Sequence, residues 1–209
     1  MSLLFSESPI IGIASLSVPI IGVYLKSNFI TGVGMVLLLF LLYFYRYTSF
    51  DIDDVPDNYI LSPCEGTVLD ILDKHDYYYV PIFLSPFNRH TQIYPANCTV
   101  IDRVYDYTGE FNMVMNLTKS KNNEKKIHTL KLNNGATMQL TQISGFLPRM
   151  ITSSEDLTEY KAGDYLGMIK FGSRIDLLMP KKAPDGSKLY LSIGKNDAVR
   201  IGDYLGKYS

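Results

Sequence analysis

The stretch Lys170-Phe171-Gly172-Ser173-Arg174-Ile175-Asp176 is the most informative part of this chain, because it sets a Gly-Ser peptide bond between two runs with strand character. Gly-Ser alone is a common turn dipeptide, and the simplest interpretation is a turn or bulge between two strands. Glycine also adopts backbone dihedrals that other residues avoid, so the carbonyl of Gly172 can be exposed to attack by the hydroxyl of Ser173. The stretch therefore predicts either a structural turn or a peptide bond that the chain itself can cut.

Short β-rich runs surround this stretch, and each is bounded by Gly, Pro, Asn or Asp. This pattern is typical of an all-β domain with short strands and tight turns. Asn133-Asn134-Gly135 is the clearest hairpin signal, because Asn and Gly both tolerate positive φ. The predicted strands are Thr67 to Ile71, Tyr77 to Leu84, Thr99 to Tyr107, Lys126 to Leu132, and Thr137 to Ile143.

An internal repeat links residues 161–167 (Lys-Ala-Gly-Asp-Tyr-Leu-Gly) with residues 200–206 (Arg-Ile-Gly-Asp-Tyr-Leu-Gly). In each copy a Gly-Asp turn precedes an aromatic residue and a leucine that can point into a sandwich. The pattern resembles the turns of lipoyl- and biotinyl-type barrel-sandwich folds, so we expect a barrel-sandwich-like β domain over residues 49–209. A carrier function is a weaker alternative, because Lys181-Lys182 lacks the Met-Lys setting in which those carriers are modified.

The amino-terminal fifth of the chain is strongly apolar. Two uncharged runs, Pro9 to Leu25 and Phe29 to Tyr45, are separated only by Lys26, Ser27 and Asn28. Each run is near the short end of the roughly 17 to 25 residues that span a bilayer. We predict a transmembrane helical hairpin within residues 1–48, with residues 9–45 anchoring the protein to a membrane. A soluble core segment is the alternative for the first run, while the lack of early Lys or Arg argues against a cleaved signal.

Composition excludes some classes of function. The formal net charge of the 209-residue chain is −1, which argues against a nucleic-acid partner, since such partners require a strongly basic surface. The two cysteines, Cys64 and Cys98, lack a metal-ligand spacing and are expected to be small buried hydrophobic residues. The sequence therefore predicts no metal site.

Several ordered motifs resemble those of the phosphatidylserine decarboxylase family, most closely its short, membrane-anchored branch. They extend over nearly the whole chain, which makes the resemblance specific. The motifs are Ser62-Pro63-Cys64-Glu65-Gly66, Phe83-Leu84-Ser85-Pro86-Phe87-Asn88-Arg89-His90, Asn123-Glu124-Lys125, and the segment from Gln142-Ile143-Ser144-Gly145 through Arg149, Gly163-Asp164 and Gly167 to Phe171-Gly172-Ser173-Arg174-Ile175-Asp176-Leu177.

The resemblance implies a proenzyme that cuts itself between Gly172 and Ser173. Ser173 would become a pyruvoyl group, the cofactor of a decarboxylase that converts phosphatidylserine, or its archaeal ether-lipid equivalent, to the ethanolamine lipid. The two fragments, residues 1–172 and 173–209, would stay together as a heterodimer. A phospholipid and a membrane are then the expected partners, and a homo-oligomer is an open possibility.

The same resemblance assigns three catalytic roles. Ser173 is the expected nucleophile, His90 is the expected base that takes and returns protons, and Glu65 is the expected carboxylate that orients His90. Glu65 stands where the family has aspartate, and an exposed turn glutamate is the alternative interpretation. Asn88 replaces an acid of the family, and Ile93 occupies a position where the family has histidine or arginine.

Three basic residues, Arg149, Arg174 and Lys125, are candidates for contact with a lipid phosphate, with solvated surface charge as the equal alternative. An alternative for the whole chain is an unprocessed homologue that binds lipid or protein without catalysis. Cleavage at Ser173 separates these hypotheses, because only the enzyme is expected to be cut.

Overall fold

The computed structural model describes residues 3–46, 52, 55–107, 110, 112–145, 151–170 and 172–209. The chain divides into two compact units, Met1–Ser49 and Phe50–Ser209. The first unit is helical, and the second is built almost entirely from β-strands.

The helices of the first unit are α1 (Leu4–Glu7), α2 (Pro9–Tyr24) and α3 (Asn28–Phe44). Pro9 lies in the first turn of α2, where its missing N–H is not needed. Ser27 caps α3, since its Oγ accepts a hydrogen bond from the N–H of Ile30 at 3.4 Å. The two apolar runs of the sequence thus form two successive helices.

Small residues bring α2 and α3 together. A Cβ on Gly22 would lie 2.5 Å from the backbone nitrogen of Thr31, and one on Gly34 would lie 2.6 Å from the nitrogen of Pro19. Leu41 and Phe44 of α3 are also buried, whereas other large apolar side chains are exposed, with Ile10 81% exposed. The helical unit therefore packs α2 against α3 through small residues and leaves part of its large apolar surface uncovered.

The structure does not support the predicted transmembrane hairpin. None of the helices in the described part of the chain combines the length and the apolar character that crossing a bilayer requires. At 1.5 Å per residue, the 16 residues of α2 and the 17 residues of α3 extend about 24 and 26 Å, against a hydrocarbon core of about 30 Å.

The strands belong to the second unit and are mostly short. They are β1 (Tyr59–Leu61), β2 (Gly66–Val68), β3 (Leu72–Asp73), β4 (Tyr77–Leu84), β5 (Thr91–Ile93), β6 (Cys98–Asp106), β7 (Lys125–Leu132), β8 (Thr137–Ser144), β9 (Ile151–Ser153), β10 (Glu159–Tyr160), β11 (Tyr165–Ile169), β12 (Ser173–Pro180), β13 (Leu189–Leu191), β14 (Ala198–Val199) and β15 (Tyr204–Tyr208), with a 3-10 helix at Lys119–Asn122.

Three sheets arise from these strands. The largest has nine strands in the order β10-β6-β7-β8-β12-β4-β2-β14, with β3 also paired to β4. Two three-stranded sheets have the orders β1-β15-β13 and β5-β11-β9. Their apolar side chains meet in one core, which includes Ile82 and Leu177 of the large sheet, Leu205 of one small sheet and Leu166 of the other.

The structure confirms the mainly β prediction and several of its elements. The run Tyr77 to Leu84 is strand β4, and Asn133-Asn134-Gly135 connects β7 to β8 with Gly135 at a φ of +83°. The predicted strand Thr67 to Ile71 is shorter than expected, because β2 ends at Val68 and β3 begins at Leu72.

The internal repeat forms two equivalent turns. Gly163 and Gly202 have positive φ values of +94° and +87°. In each turn the aspartate that follows accepts a hydrogen bond from a backbone N–H at 2.7 Å, that of Lys161 in one copy and of Arg200 in the other. The two turns introduce β11 and β15, the central strands of the two small sheets.

The barrel part of the fold prediction is wrong for the described residues. The largest sheet ends at β10 and β14, and no strand pairing between these two strands closes it among the residues described. The repeated turns instead introduce strands of two separate small sheets, which pack on the large one through the shared core.

Candidate active site

Strand β12 positions the predicted nucleophile at its first residue. Ser173 is the register partner of Leu84 on β4 and of Ser144 on β8, so neighbouring strands hold it on both sides. The residue is fully buried, and its Oγ donates a hydrogen bond to the carbonyl oxygen of Ile169 at 3.4 Å. The predicted cleavage position is therefore the start of a central strand rather than an exposed turn.

Two glycines meet at the peptide bond before Ser173. Gly172 has a φ of +71°, a region that L-residues with side chains rarely adopt. A Cβ placed on Gly145 would lie 2.1 Å from the carbonyl oxygen of Gly172, closer than any real contact of this kind. Glycine is thus required at position 145 by the approach of this carbonyl, and at position 172 by its backbone dihedral.

The motif Asn123-Glu124-Lys125 holds the strand end beside Ser173. The backbone N–H of Ser144 donates to the carbonyl of Glu124 at 3.0 Å, and the Asn123 side chain donates to the carbonyl of Ser144 at 2.9 Å. Because Ser144 is the register partner of Ser173, these contacts fix the β8 side of the site.

His90 lies on the loop that connects β4 to β5 and is fully buried. Its Nδ1 is 2.9 Å from the carbonyl oxygen of Asn88. A carbonyl oxygen only accepts hydrogen bonds, so Nδ1 carries a proton, and in the neutral ring Nε2 then carries the lone pair. This is the tautomer that a general base needs.

Strand pairing relates the sequence neighbours of His90 to those of Ser173. In the β5-β11 pairing Thr91, the residue after His90, lies opposite Met168. The carbonyl of Ile169, the residue after Met168, is the acceptor for the Ser173 hydroxyl. His90 and the acceptor of the Ser173 hydroxyl are therefore each adjacent in sequence to one member of the same strand pair.

Glu65 belongs to the same corner of the large sheet. Glu65 directly precedes β2, in which Thr67 pairs with Phe83, the neighbour of the Ser173 partner Leu84. The Glu65 carboxylate accepts a hydrogen bond from the Asn88 side chain at 3.1 Å and lies 3.7 Å from Nε of Arg89. It is thus linked to the His90 loop through Asn88.

Asn88 organises the loop and was not assigned a role from sequence. Its side-chain oxygen accepts hydrogen bonds from both the N–H and the hydroxyl of Ser85, at 2.8 and 2.7 Å. Its carbonyl holds His90, and its amide holds Glu65. The sequence shows that Asn88 departs from the family. Its contacts with Ser85, Glu65 and His90 can be seen only in the folded loop.

The structure thus brings Gly172, Ser173, His90 and Glu65 to one end of the large sheet, while their catalytic roles stay predictions. Ile93 is a buried apolar residue of β5 whose N–H donates to the carbonyl of Pro63 at 3.0 Å. It serves the core where the family has a histidine or arginine.

Of the basic residues considered for a lipid phosphate, Arg174 has a different role. It is fully buried and forms a bidentate pair with Asp176 at 2.7 and 2.9 Å. It also donates to the carbonyl of Val114 at 2.6 Å and to the hydroxyl of Ser120. Its hydrogen bonds thus go to protein groups, and they tie the start of β12 to residues 114–120.

The other two basic candidates are less informative. Lys125 lies 3.5 Å from a carboxylate oxygen of Asp106 and donates to the carbonyl of Lys121 at 2.8 Å. Arg149 lies outside the described residues. Their contacts with a lipid phosphate stay untested.

A buried polar layer continues from the site along the inner face of the large sheet. His128 on β7 is fully buried, and its Nε2 is 2.9 Å from the side-chain oxygen of Gln142. Burial lowers the pKa of His128 from 6.5 to about 4. The imidazole is therefore neutral at pH 7.

We expect Arg174→Met to lower the free energy of unfolding by about 3 to 5 kcal/mol, because it leaves the buried Asp176 carboxylate without its cationic partner and with only the hydrogen bond from the Tyr79 hydroxyl. The matched control is Lys195→Met in the exposed pair with Asp70, with N–O distance 3.3 Å, for which a cost below about 1 kcal/mol is expected. Urea unfolding at neutral pH measures both. Equal costs for the two variants would contradict the structural role of Arg174.

We expect His128 to make the protein less stable as the pH falls from about 6.5 to about 4. Its folded pKa is depressed, so the unfolded chain binds more protons in this window and stability rises with pH there. His128→Gln should reduce this pH dependence by up to about 3 kcal/mol. The control is His75→Gln, whose side chain is 97% exposed. Urea midpoints at several pH values test this, and an unchanged pH dependence in His128→Gln would refute it.

Comparisons with known proteins identify the family of this chain. The family model described as phosphatidylserine decarboxylase matches residues 37–207. A phosphatidylserine decarboxylase proenzyme of Pelodictyon phaeoclathratiforme is 36% identical over 154 residues, which are 70% of this chain and 71% of that protein. A second, of Chlorobium limicola, is 35% identical over 69% of this chain and 70% of that protein.

A third relative comes from Methanosarcina mazei. It is 29% identical over 73% of this chain and 70% of its own length, and its assignment as an archaetidylserine decarboxylase proenzyme is itself provisional. No solved structure is significantly similar to this chain. The family model and the two curated relatives together show that this chain belongs to the phosphatidylserine decarboxylase family.

Proposed function

We propose that this protein decarboxylates phosphatidylserine, or its archaeal ether-lipid equivalent, to the corresponding ethanolamine lipid after cutting itself between Gly172 and Ser173. The observation that carries the proposal is the geometry of the cut. The carbonyl of Gly172 packs against Gly145, and the Gly172 backbone has a φ of +71°. The names of the curated relatives as decarboxylase proenzymes support both halves of the proposal.

The cleavage begins with attack of Ser173 Oγ on the carbonyl carbon of Gly172, which exchanges the amide bond for an ester. The hydroxyl now donates to the Ile169 carbonyl, so it turns about χ1 toward Gly172 before it attacks. His90, with its lone pair on Nε2, accepts the hydroxyl proton. The Asn88 carbonyl, which binds Nδ1 of His90, therefore leaves Nε2 as the nitrogen that takes the proton.

Elimination then removes the Cα proton of residue 173 and breaks its Cβ–Oγ bond, which leaves a carboxylate on Gly172. The dehydroalanine at the new amino terminus tautomerises and reacts with water, releasing ammonia and leaving a pyruvoyl group. The site fits this group, because Ser173 is buried and Gly145 leaves open the space next to the reacting carbonyl that a Cβ would fill. A pyruvoyl group supplies a carbonyl that accepts the electron pair left when a carboxylate departs.

The residues of the chain keep the two fragments together after the cut. Strand β12 would belong to the short fragment, while its neighbours β4 and β8 would belong to the long one. Arg174, the second residue of the short fragment, donates to Val114 and Ser120 of the long one. The small fragment would thus keep residue 173 in place without a covalent link, as a heterodimer with the large one.

The experiment is an intact-mass spectrum of the purified protein and of matched variants. We expect the wild type to give residues 1–172 and residues 173–209, the latter lighter than a simple hydrolysis product by one ammonia. Ser173→Ala should stay whole. Gly145→Ala should slow cleavage by about a hundredfold or more, because its Cβ displaces the reacting carbonyl. Gly194→Ala, where a Cβ would make only ordinary contacts at 3.5 Å or more, is the control.

The result also separates the alternative functions. A wild-type chain that stays whole on long incubation would contradict the enzyme proposal and favour the unprocessed lipid- or protein-binding homologue. A whole chain with added mass would favour a modified carrier. Cleavage of Gly145→Ala at the wild-type rate would remove the argument from the approach of Gly145 to the Gly172 carbonyl.

Membrane association is proposed on the character of the helical unit. Its buried residues include Gly12 and Ser15, whereas Ile10, Phe29 and Val36 are 81%, 80% and 69% exposed. Exposed large apolar side chains of this kind form a surface that can bind to the interface of a bilayer. The protein would then bind a diacyl substrate at the bilayer surface, where the headgroup is accessible.

We expect the double variant Ile10→Asp/Val36→Asp to lose liposome binding by about tenfold or more, because each charge is costly in an apolar phase. Flotation of the protein with liposomes measures the bound fraction. Ile101→Asp, which places the same charge on an exposed residue of β6, is the control and should bind as the wild type does. Unchanged binding of the double variant would refute a lipid contact by the helices.

A further inference from the structure

Three buried polar side chains form a directed chain of hydrogen bonds next to the candidate site. They are His128 on β7, Gln142 on β8 and Gln92 on β5, and each is fully buried. His128 Nε2 is 2.9 Å from Oε1 of Gln142, and Nε2 of Gln142 donates to Oε1 of Gln92 at 2.5 Å. The chain connects the large sheet to the small sheet that carries His90 beside its edge.

The direction of the chain is fixed by a backbone carbonyl. Nε2 of Gln142 also lies 3.5 Å from the carbonyl oxygen of Thr152, which can only accept a hydrogen bond. The amide nitrogen of Gln142 therefore faces Thr152 and Gln92, and its oxygen faces His128. The side-chain oxygen of Gln92 therefore accepts the hydrogen bond from Gln142. The NH2 group of Gln92 is directed away from His128 and Gln142.

This NH2 group is a buried donor that the described part of the protein leaves unused. Nε2 of Gln92 has no hydrogen-bond partner among the residues that the structure describes. A buried donor without an acceptor costs about 1 to 3 kcal/mol. Such a cost, next to a candidate active site, is understandable if a ligand supplies the acceptor.

The hydrogen-bond chain approaches the candidate site along strand β8. Side chains alternate along a strand, so Gln142 and Ser144 share a face of β8, and Ser144 is the register partner of Ser173. Gln142 therefore lies one side-chain row, about 7 Å along β8, from the row of residue 173. Gln92, which accepts a hydrogen bond from Gln142, follows His90 by two residues in the sequence.

We infer that the Gln92 amide binds the carboxylate of the serine headgroup, an inference that rests on the proposed function. The headgroup amine reacts at residue 173, and its carboxylate is bonded to the same carbon as that amine. The phosphate is two atoms farther along the headgroup, and the ammonium has no acceptor to offer. The carboxylate is thus the anionic group that lies nearest to residue 173 when the amine is bound there.

A neutral amide suits this carboxylate better than a cation does. Decarboxylation converts the anionic carboxylate into neutral CO2, so a group that stabilises the carboxylate more than the transition state slows the reaction. An arginine or lysine would do so strongly, whereas an amide orients the carboxylate through a weaker hydrogen bond. Gln92 would therefore orient the carboxylate while stabilising it only weakly relative to the transition state for loss of CO2.

The test measures binding of unreactive lipids to purified full-length protein whose cleavage has first been checked by intact mass. Two dihexanoyl phospholipids are used, and neither contains the amine. One has a 3-hydroxypropionate headgroup, which keeps the carboxylate, and the other has a propanol headgroup, which lacks it. Calorimetric titration gives the Kd of each lipid, and the ratio of the two Kd values is the preference for the carboxylate.

We expect Gln92→Met to reduce the preference of the wild type by about 10- to 100-fold, the range for a hydrogen bond to a charged group. Gln92→Glu has nearly the same shape and should exclude the carboxylate lipid while binding the propanol lipid as the wild type does. Gln139→Met, at an exposed glutamine of β8, the strand that carries Gln142, is the control and should keep the preference.

Other outcomes overturn the inference. A preference that survives in a folded Gln92→Met, or an equal loss of affinity for both lipids, would show that Gln92 does not contact the carboxylate. If Gln92→Met does not fold, unchanged binding of both lipids by Gln92→Glu leads to the same conclusion. A wild-type chain that is never cut would refute the proposed function, whereas a cut wild type without a preference would refute only the role of Gln92.

Discussion

The hydrogen bonding of β12 along both of its edges is the constraint on which the rest of the structure depends. Its first residue, Ser173, is held between Leu84 and Ser144, and the pairing continues along the strand on each side. Because the backbone of Ser173 is fixed by pairing on both sides, the residues next to it must take the conformations that this position allows. The glycines at 172 and 145 absorb the resulting backbone strain and close approach.

The same constraint explains why a buried charge follows the proposed cleavage position. Arg174 points to the opposite face of the sheet from Ser173, because side chains alternate along β12. There it satisfies Asp176, Val114 and Ser120 together, which compensates for the cost of burying its charge. If Ser173 reacts as proposed, the start of β12 has to be held by other residues, and Arg174 does this through its hydrogen bonds to Val114 and Ser120.

Local sequence patterns predicted the parts of the fold that depend on local chemistry. Asn133-Asn134-Gly135 forms the predicted hairpin because its dihedral requirement is local, and Tyr77 to Leu84 forms the predicted strand. The barrel closure and the membrane span were not predictable in this way, because the first depends on which strands pair at the sheet edges and the second on where helices end. The candidate site residues were found through motifs, whereas the contacts of Gln92 required the folded sheets.

The two departures from the family at positions 65 and 88 are better understood together than separately. The family has acids at both positions, whereas here the Glu65 carboxylate accepts a hydrogen bond from the Asn88 amide at 3.1 Å. Two carboxylates at that distance would repel, and one of them would have to bind a proton. A glutamate with an amide partner replaces that repulsion with a hydrogen bond, and the extra methylene of Glu65 adds reach toward Asn88. Asn88 in turn uses its carbonyl to hold Nδ1 of His90. Glu65 and His90 are therefore linked through one residue, and the proposed roles of these two side chains depend on Asn88 as well.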